Sequence, residues 1–388
     1  RVMLNPSRLE DLKRKMKSNF DAGKVAGCSL LVCRKGEETY LEHGFANVER
    51  RDPVRRDTIF RLYSMTKPIT MTAVMQLYER GLVYLEDPLY EFIPEFRDMP
   101  VGIAEPDGSV RYGKPRRPIT IKHLLTMTSR LSYPGEGDAG ERSVYQALEK
   151  MEESGEDAPT LEKARRVAKE ACLSFHPGER WKYGLSHDIA AAVVEVVSGQ
   201  RYGEYLKENI FAPLEMVDTA FFVSPEKHAR FTRAHEWKGG AYTECEGVNF
   251  LKNYLSQPAY ESGGGGLVST IDDYAHFCEM LLNGGTRRGQ RILGRKTIEM
   301  MRTDQLTEAQ RADFGWTERG YGYGLGMRTH LRPWTINGSA GEFGWDGMMG
   351  TWMAVDPAEE MYVVYMQNMM PYNNCGMRLM PILYAALD

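Results

Sequence analysis

The sequence predicts an α/β protein of the α+β type, in which a mainly antiparallel sheet is flanked by helices and interrupted by an all-helical domain. Strand patterns occur near both ends of the 388-residue chain, at residues 27–45 and 351–366, whereas residues 76–219 are rich in helical patterns. A chain of this length is two ordinary domains or one large domain with an insertion. We therefore expect a discontinuous sheet domain, residues 1–75 and 220–388, around a helical domain at 76–219.

The first segment of the chain predicts a helix followed by a β-hairpin. Residues 7–22 have apolar side chains at helical spacing, and Ser7 with Glu10 three positions later matches a capping box. Two apolar runs, residues 27–33 and 39–45, are separated by a short charged turn. This pattern is typical of two antiparallel strands.

A serine and a lysine mark the start of the next helix. Ser64 follows a short apolar stretch, and Lys67 comes three residues later, at a spacing that places both side chains on one helix face. A serine hydroxyl needs a base to remove its proton, and a desolvated lysine with a lowered pKa can be that base. Backbone N–H groups at a helix start suit an anionic intermediate. The motif is short, and a solvated helix start is the alternative interpretation.

The rest of the chain alternates between helical and strand patterns. Thr270 before residues 271–282 is a candidate N-cap, and a turn at Asp356 and Pro357 separates the last two strand patterns. The further predicted elements are helices at 120–127, 161–171, 188–198 and 377–387 and strands at 351–355 and 361–366. We expect the strands from both ends to share one sheet.

Composition limits the classes of function. Apolar residues make up 42% of the chain and charged residues 26%, which indicates a folded protein with a sizeable core. The formal net charge of −4 gives no electrostatic reason to expect nucleic acid or an anionic membrane as a partner. No apolar run approaches the roughly 18 residues that a membrane-spanning helix needs. The first residue is Arg1, which indicates that the natural start is missing and leaves a removed signal segment open.

Neither the cysteines nor the histidines predict a metal site. The six cysteines are scattered without a C-x-x-C pair, which favours free thiols in a reducing, cytoplasmic compartment. The eight histidines show no H-E-x-x-H or H-x-H spacing. We expect no metal and no other cofactor.

Two further segments carry candidate chemistry. Tyr183 lies in an aromatic stretch after a Pro-Gly turn. A nearby lysine ammonium can lower a tyrosine pKa and share proton transfer with it, whereas the alternative is a packed tyrosine with a satisfied hydroxyl. His187 and Asp188 follow Ser186, so a Ser-His-Asp triad stays open, although the G-x-S-x-G motif is absent. Residues 344–351 are a glycine-rich entry to a strand, which favours either a backbone oxyanion donor or a tight turn.

Taken in order, five segments resemble the serine β-lactamase-related superfamily, which comprises class C β-lactamases, D-alanyl-D-alanine peptidases and related esterases. The resemblance extends from Gly27 to Asn368. The matching segments are S-x-x-K at 64–67, ITIKHLLTMTS at 119–129, the Pro-Gly-to-tyrosine segment at 176–183, the glycine-rich strand at 264–270 and Trp-Asp-Gly at 345–347 in the place of K-T-G. This resemblance implies a β-lactamase/DD-peptidase-like fold with its active site at the junction of the two domains.

The resemblance also implies a role for each matching residue. Ser64 would be the acylated nucleophile, and Lys67 and Tyr183 would share general-base and general-acid work. The backbone N–H groups of Ser64 and Met348 would form the oxyanion hole. The implied substrate-binding residues are Trp345, Gly347, Leu185 and Tyr133.

Departures from the family pattern bear on the substrate. Leu185 replaces the asparagine of Y-x-N, so the amide that would orient a peptide-like substrate is absent. Trp345 replaces the basic or imidazole residue that helps to hold a substrate carboxylate in β-lactamases and peptidases, and an indole carries no charge. Met127 and Arg130 replace the usual histidine and glycine of the second segment. The tryptophan resembles the carboxylesterase branch of the family.

We therefore expect a serine carboxylesterase that acts through an acyl-enzyme on short- to medium-chain esters, or on lactones or by acyl transfer. One alternative is a β-lactamase or a D-amino-acid amidase or peptidase. Another is a non-catalytic relative that serves as a binding or scaffolding module, and the intact set of Ser64, Lys67 and Tyr183 argues against it. The expected partner is a small-molecule ester, and the oligomeric state is left open.

Overall fold

The computed structural model describes residues 4–153, 157–245 and 254–387. The strands in these ranges are β1 (Gly27–Arg34), β2 (Glu37–Asn47), β3 (Asp52–Pro53), β4 (Phe60–Arg61), β5 (Val101–Ala104), β6 (Val110–Gly113), β7 (His235–Lys238), β8 (Ala241–Glu244), β9 (Val268–Ser269), β10 (Thr286–Arg287), β11 (Gln290–Arg291), β12 (Tyr321–Tyr323), β13 (Arg328–His330), β14 (Phe343–Asp346), β15 (Trp352–Asp356) and β16 (Met361–Gln367). The α-helices are α1 (Pro6–Asp21), α2 (Thr66–Glu79), α3 (Ile121–Leu125), α4 (Ala139–Glu153), α5 (Thr160–Glu170), α6 (Ser186–Ser198), α7 (Tyr202–Leu206), α8 (Ile271–Leu282), α9 (Arg295–Met301), α10 (Glu308–Arg311) and α11 (Met380–Tyr384).

The main sheet is antiparallel and is built from both ends of the chain. Within the described ranges its strand order is β12-β13-β14-β15-β16-β1-β2-β3. Strand β1 pairs with β16, so that Leu31 lies opposite Val364. The hairpins β1–β2 and β15–β16 confirm both hairpin predictions. The mixed fold with a large antiparallel sheet, flanked by helices, is therefore the predicted one.

The central strands are buried on both faces of the sheet. Leu31 and Val364 pack into one core together with Phe277 of α8. Leu30 packs into the other core, together with Leu12 of α1. Because successive side chains of a strand point to opposite faces, a strand between two helical layers must be apolar at every position. This explains the continuous apolar runs in β1 and β16.

Helix α2, which follows Ser64, is enclosed by protein. Its residues from Thr66 to Leu77 are all buried, and it packs against α6. A helix that is buried all round has no solvated face on which to place a charge. A lysine side chain on this helix is therefore desolvated, and desolvation changes its pKa in the site described below.

Two predictions at the ends of the chain are wrong in detail. Helix α1 begins at Pro6 with Asn5 as its N-cap, and Asn5 Oδ1 accepts a hydrogen bond from the Ser7 N–H at 3.0 Å. Pro6 fixes the first helical position, so Ser7 lies inside the helix and is not its cap. The predicted helix at 377–387 is a 3₁₀ turn, Met377–Leu379, followed by the short α11. The predicted N-cap Thr270 is confirmed, since its hydroxyl accepts from the Asp273 N–H at 3.2 Å.

The division of the chain into domains stays a prediction. Helices α3 to α7 and the small hairpin β5–β6 lie within residues 76–219, while α2 runs through the expected boundary at residue 75. In the part of the chain that the structure describes, no helix is long and apolar enough to cross a membrane.

Candidate active site

Ser64 lies in a short 3₁₀ helix, Tyr63–Met65, that leads directly into α2. Tyr63 has a φ of +45°, a left-handed conformation that is uncommon for a residue with a side chain. The Leu62 N–H donates to the Leu267 carbonyl at 3.0 Å, which ties this turn to the glycine-rich segment before β9. Such local strain is kept only where the surroundings enforce it, and it often accompanies functional sites. The half-buried Ser64 hydroxyl therefore has a fixed position.

Lys67 is fully buried and its ammonium group makes three hydrogen bonds. Nζ donates to Ser64 Oγ at 3.0 Å, to the Tyr133 hydroxyl at 2.9 Å and to the Gly264 carbonyl at 2.6 Å. Burial lowers the pKa of Lys67 to about 7, although Asp188 and then Asp346 oppose the shift. At neutral pH a substantial fraction of Lys67 is therefore uncharged and able to accept the Ser64 proton.

Tyr183 contacts Lys67 through its ring and not through its hydroxyl. Lys67 Nζ lies 4.5 Å from the centroid of the Tyr183 ring, and the Tyr183 hydroxyl accepts a hydrogen bond from Trp345 Nε1 at 3.1 Å. Burial raises the pKa of Tyr183, although hydrogen bonds with Ser64 and Trp345 oppose this. The expectation of a lowered Tyr183 pKa is wrong, because desolvation is the largest influence on this phenol and raises its pKa. Tyr183 is a neutral phenol that can donate a proton.

Tyr133 is a second tyrosine beside Lys67, and the sequence did not predict its contact with the ammonium. Its ring packs edge-on against Tyr183, with 5.6 Å between the ring centroids. Burial raises the pKa of Tyr133 well above its usual range, so it is also a neutral phenol. No spacing could have indicated this contact, since Tyr133 lies far from Ser64 along the chain and is brought close only by the fold.

The predicted oxyanion residues, Ser64 and Met348, both line one cavity, which is described below. Met348 is 43% exposed and lines the cavity together with Ser64. The Gly347 N–H donates to the Thr351 carbonyl at 2.8 Å, which closes the loop that carries Met348 after β14. A Cβ at Gly347 would overlap the Leu62 carbonyl, so only glycine lets this loop pack beside the Ser64 turn. The oxyanion role of the Ser64 and Met348 N–H groups stays a prediction.

The four predicted substrate-binding residues fall into two groups. Tyr133 and Leu185 line the cavity, whereas Trp345 and Gly347 are not among its described lining residues. Trp345 is nearly fully buried, and its indole packs on Tyr183, with 5.7 Å between the ring centroids. The indole is turned toward Tyr183, and the expectation that Trp345 forms an apolar side of the pocket stays a prediction.

A cavity of about 530 Å³ lies beside Ser64 and is mainly apolar. One side consists of aliphatic side chains from α4, α5 and α6 and the residue before α6. These are Leu148, Ala164, Val167, Leu185 and Ile189. The polar groups on its surface include Thr160, Lys163, Asp188, Tyr260 and Ser262. A cavity of this kind fits a small apolar ligand with one polar end at Ser64.

The alternative Ser-His-Asp triad does not assemble, and the other large cavity offers no reactive thiol. Ser186 is buried and its hydroxyl bonds to that of Ser129 at 2.7 Å, while neither ring nitrogen of His187 has a hydrogen-bond partner, so this segment forms no triad. A larger cavity of about 700 Å³ lies away from Ser64 and is lined by Cys33 and many charged residues. Burial raises the pKa of the Cys33 thiol, which leaves it protonated and a poor nucleophile.

The structure contains no candidate metal centre among the residues it describes. No group of three or more histidine, cysteine, aspartate or glutamate side chains in those ranges could hold a metal ion. All six cysteines are free thiols, five of them buried.

The chain is similar to known proteins over most of its length. The family model described as Beta-lactamase matches residues 12–379. Esterase EstB of Burkholderia gladioli is 32% identical over 364 residues, which cover 89% of this chain and 86% of the relative. Acyltransferase calJ of Penicillium decumbens is 30% identical over 318 residues, which cover 79% of this chain and 69% of the relative.

Solved structures share the fold. EstCE1, described as a hydrolase with promiscuous acyltransferase activity, superposes with a TM-score of 0.78 at 24% identity, covering 98% of each chain. At this level of identity the similarity demonstrates the common fold alone.

Proposed function

Because the chain belongs to the beta-lactamase family and its relatives include esterases and acyltransferases, it is a serine hydrolase of the esterase or acyl-transfer type, and we propose that Ser64 is its acylated nucleophile. The observation that carries this proposal is the 3.0 Å hydrogen bond from a fully buried Lys67 to Ser64 Oγ. A buried lysine with a pKa of about 7, lowered by desolvation, can act as a base at neutral pH.

The proposed reaction has two halves. In the first, Ser64 Oγ attacks the ester carbonyl carbon while its proton passes to Lys67 Nζ, and the carbonyl oxygen becomes an oxyanion held by the N–H groups of Ser64 and Met348. The tetrahedral intermediate then breaks its bond to the alkoxy group. Tyr183, a neutral phenol, donates a proton to the departing oxygen. The Lys67 ammonium returns its proton to Tyr183 through a water molecule in the cavity, because Lys67 Nζ faces the Tyr183 ring and not its hydroxyl.

In the second half a water molecule or an alcohol attacks the acyl-enzyme with the proton steps reversed. Water gives the free acid, and an alcohol gives a new ester. The two outcomes differ only in the acceptor, so esterase and acyl-transfer activity follow from the same residues.

We propose short- to medium-chain esters as substrates. One side of the 530 Å³ cavity is aliphatic, and the residues that form it are Leu148, Ala164, Val167, Leu185 and Ile189. Lys163 also lines the cavity, and its ammonium lies over the Tyr260 ring, 3.9 Å from the centroid. Burial of each methylene contributes about 0.8 kcal/mol, so the chain-length preference should follow the space beside these residues.

The test is a series of p-nitrophenyl esters from acetate to dodecanoate, with a chromogenic cephalosporin and an alcohol acceptor as further arms. We expect Ser64→Ala to lose at least about a thousandfold in kcat/KM for the esters. Ser186→Ala is the matched control, since it removes a serine of the discarded triad and should keep the activity. Mass spectrometry after treatment with a fluorophosphonate should find the adduct on Ser64.

Three results would contradict the proposal. A fluorophosphonate adduct on a residue other than Ser64 would show that Ser64 is not the nucleophile. Cephalosporin turnover at a rate comparable with the esters favours the β-lactamase alternative. Unchanged activity and ligand binding in Ser64→Ala favour the scaffolding alternative.

A further inference from the structure

Asp188 is a buried carboxylate at the candidate active site that the proposed reaction does not use. It lies in the first turn of α6, is 5% exposed and lines the cavity beside Ser64. Its Oδ1 accepts hydrogen bonds from the Tyr260 hydroxyl and the Ser262 hydroxyl, each at 2.5 Å. A buried carboxylate is retained at a cost in desolvation, so its position calls for a reason.

Asp188 and Lys67 flank the same short stretch of backbone, residues 262–264. Lys67 Nζ donates to the Gly264 carbonyl at 2.6 Å, and Asp188 Oδ2 lies so close to Gly264 that a Cβ there would overlap it. Next to them, Thr70 Oγ1 donates to the Gly263 carbonyl at 2.6 Å. Helix α2 therefore holds this stretch from one side, and Asp188 holds it from the other.

We propose that Asp188 is a positioning residue that fixes Lys67 through residues 262–264 and whose negative charge governs how readily Lys67 accepts the Ser64 proton. This inference rests on the proposed role of Lys67 as the base. Asp188 touches neither the substrate carbonyl nor the Ser64 hydroxyl in this mechanism, and it acts only through Lys67.

The physical reason is that a nearby negative charge stabilises the ammonium form of a lysine. Burial alone pushes the pKa of Lys67 down, and Asp188 is the largest influence in the opposite direction, so that the pKa settles at about 7. A group with this pKa can take the proton from Ser64 and return it to the leaving group in the same cycle. A lysine with a much lower pKa would be too weak a base for the first step.

The other groups that face Lys67 cannot replace Asp188. Tyr133 and Tyr183 are neutral phenols, because burial raises the pKa of both. The His187 ring is neutral as well, since burial lowers its pKa to about 3 and the Lys67 charge acts in the same direction. Ser64 is an uncharged hydroxyl. These groups therefore leave the carboxylates as the negative charges that act on Lys67.

Asp346 of β14 is the second carboxylate that acts on Lys67, and the positive charge of Arg328 partly offsets its negative charge. Burial raises the pKa of Asp346, whereas the guanidinium of Arg328 lowers it, and its Oδ2 accepts from the Tyr372 hydroxyl at 3.1 Å. The direct partners of Asp188, by contrast, are the uncharged hydroxyls of Tyr260 and Ser262. The cation beside these partners is Lys163, whose ammonium lies over the Tyr260 ring, 3.9 Å from the centroid, whereas Asp188 itself bonds to the two hydroxyls.

The experiment measures kcat/KM for p-nitrophenyl acetate from pH 5 to pH 9. Catalysis needs uncharged Lys67, so the wild-type rate should rise with pH through about 7. Asp188→Asn keeps an oxygen for the two hydroxyls and removes the charge. Its half-maximal point should move to lower pH by about one unit, because a facing charge shifts a pKa by about one to three units. Its plateau rate should fall, because Lys67 becomes a weaker base.

Glu261→Gln is the matched control. Glu261 is a buried carboxylate next to the same stretch, and it accepts from the Gly203 N–H at 2.7 Å and pairs with Arg201 at 3.0 Å. It is not among the main influences on the pKa of Lys67. Its pH profile should stay in place. Ser262→Ala is a second test, because it removes a hydroxyl dipole whose positive end points at Asp188 and so strengthens the negative field of Asp188 at Lys67. The half-maximal point of this variant should move to higher pH.

The possible results separate this inference from the proposed function. A folded, active Asp188→Asn variant with the wild-type profile overturns the inference and leaves the function standing. If Asp188→Asn does not fold, an unmoved profile in Ser262→Ala overturns it. If the wild type turns over no ester at all, the proposed function fails and this inference fails with it.

Discussion

Trp345, predicted from the sequence to bind substrate, contacts the candidate catalytic residue Tyr183 in the structure. The indole stands where related enzymes hold a substrate carboxylate, which led us to expect an apolar pocket side. In the structure its Nε1 donates to the Tyr183 hydroxyl, and its ring packs against Tyr183 and Tyr323. We propose that this hydrogen bond fixes the Tyr183 hydroxyl for proton donation to the leaving group.

The first prediction concerns Trp345→Phe, which removes the N–H and keeps an aromatic ring. We expect kcat/KM for p-nitrophenyl butyrate to fall about tenfold, the effect of losing one hydrogen bond in the transition state. Tyr183→Phe should fall by about a hundredfold or more, since it removes the proton donor itself.

The double variant makes this prediction specific. If Trp345 acts through Tyr183, the Trp345 substitution should cost nothing further in the Tyr183→Phe background. A loss in the double variant equal to the product of the two single losses would show that Trp345 acts independently. Melting temperatures of the three variants control for a general loss of packing.

Arg130 illustrates a different residue-scale departure. It occupies the family's usual glycine position, and its φ of +68° lies in the left-handed region that favours glycine. The guanidinium lies 3.9 Å from the centroid of the Phe175 ring. A cation–π contact contributes about 0.5–2 kcal/mol, which is enough to offset the strain of one such residue.

At the scale of elements, α5 and α6 define the size of the candidate acyl site. Thr160, Ala164 and Val167 are spaced along one face of α5, and all three line the cavity. Leu185 and Ile189 approach from α6 and the residue before it. The length of chain that fits is therefore set by side chains on rigid helices, so single substitutions should change it predictably.

The second prediction is that Ala164→Phe shortens the preferred acyl chain. The added ring fills space on the aliphatic side, so kcat/KM for p-nitrophenyl octanoate should fall about tenfold or more relative to acetate. Activity on acetate should change little, because its methyl group stays near Ser64. The measurement is the ester series described above.

Lys169→Phe provides the control on the same helix. Lys169 is exposed and does not line the cavity, so the same ring placed there should leave the chain-length profile unchanged. Equal losses on acetate and octanoate in Ala164→Phe would mean that the helix has shifted and that the cavity is not the acyl site.

At the scale of the whole molecule, the burial of Lys67 lowers the free energy of unfolding. The proposed role of Lys67 as the base explains why the protein keeps a buried lysine there. Burial lowers the pKa of Lys67 from its usual 10.5 to about 7 in the folded state. The unfolded chain therefore binds more protons than the folded chain between these two pH values. Stability contributed by this site rises with pH across that window and is at its lowest at pH 7 and below.

The third prediction is that Lys67→Met is inactive but more stable than the wild type at pH 7. The gain should be on the order of 2 kcal/mol, because each unit of pKa shift corresponds to about 1.4 kcal/mol and the lost hydrogen bonds offset part of the total. Unfolding by denaturant at pH 7 and at pH 9.5 measures the difference, which should shrink at the higher pH.

Lys296→Met, on the exposed surface of α9, is the control and should differ little from the wild type at either pH. A Lys67→Met variant that is less stable than the wild type at pH 7 would contradict the burial argument. So would a difference that does not change with pH.

Much of the fold was predictable because its signals are local. The apolar runs of β1 and β16, the turn at Asp356 and the N-cap Thr270 each depend on neighbours within a few residues. The cap of α1 was missed because the sequence analysis started the helix at Ser7. The helix begins at Pro6, whose fixed φ suits the first helical position, and the Asn5 side chain caps it. The short 3₁₀ turn near the C-terminus was missed because helical periodicity alone does not separate a 3₁₀ turn from an α-helix.

By itself, the sequence indicated the two terminal hairpins, several of the helices and the pairing of Ser64 with Lys67, because a spacing of three residues along a helix brings two side chains to one face. Only the tertiary structure decided that Tyr133 bonds to Lys67, that Trp345 Nε1 bonds to the Tyr183 hydroxyl and that the Asp188 charge acts on Lys67. Those contacts join residues that lie far apart along the chain. Their direction and the lowered pKa of Lys67 come from burial, which depends on everything packed around the site and on no single stretch of sequence.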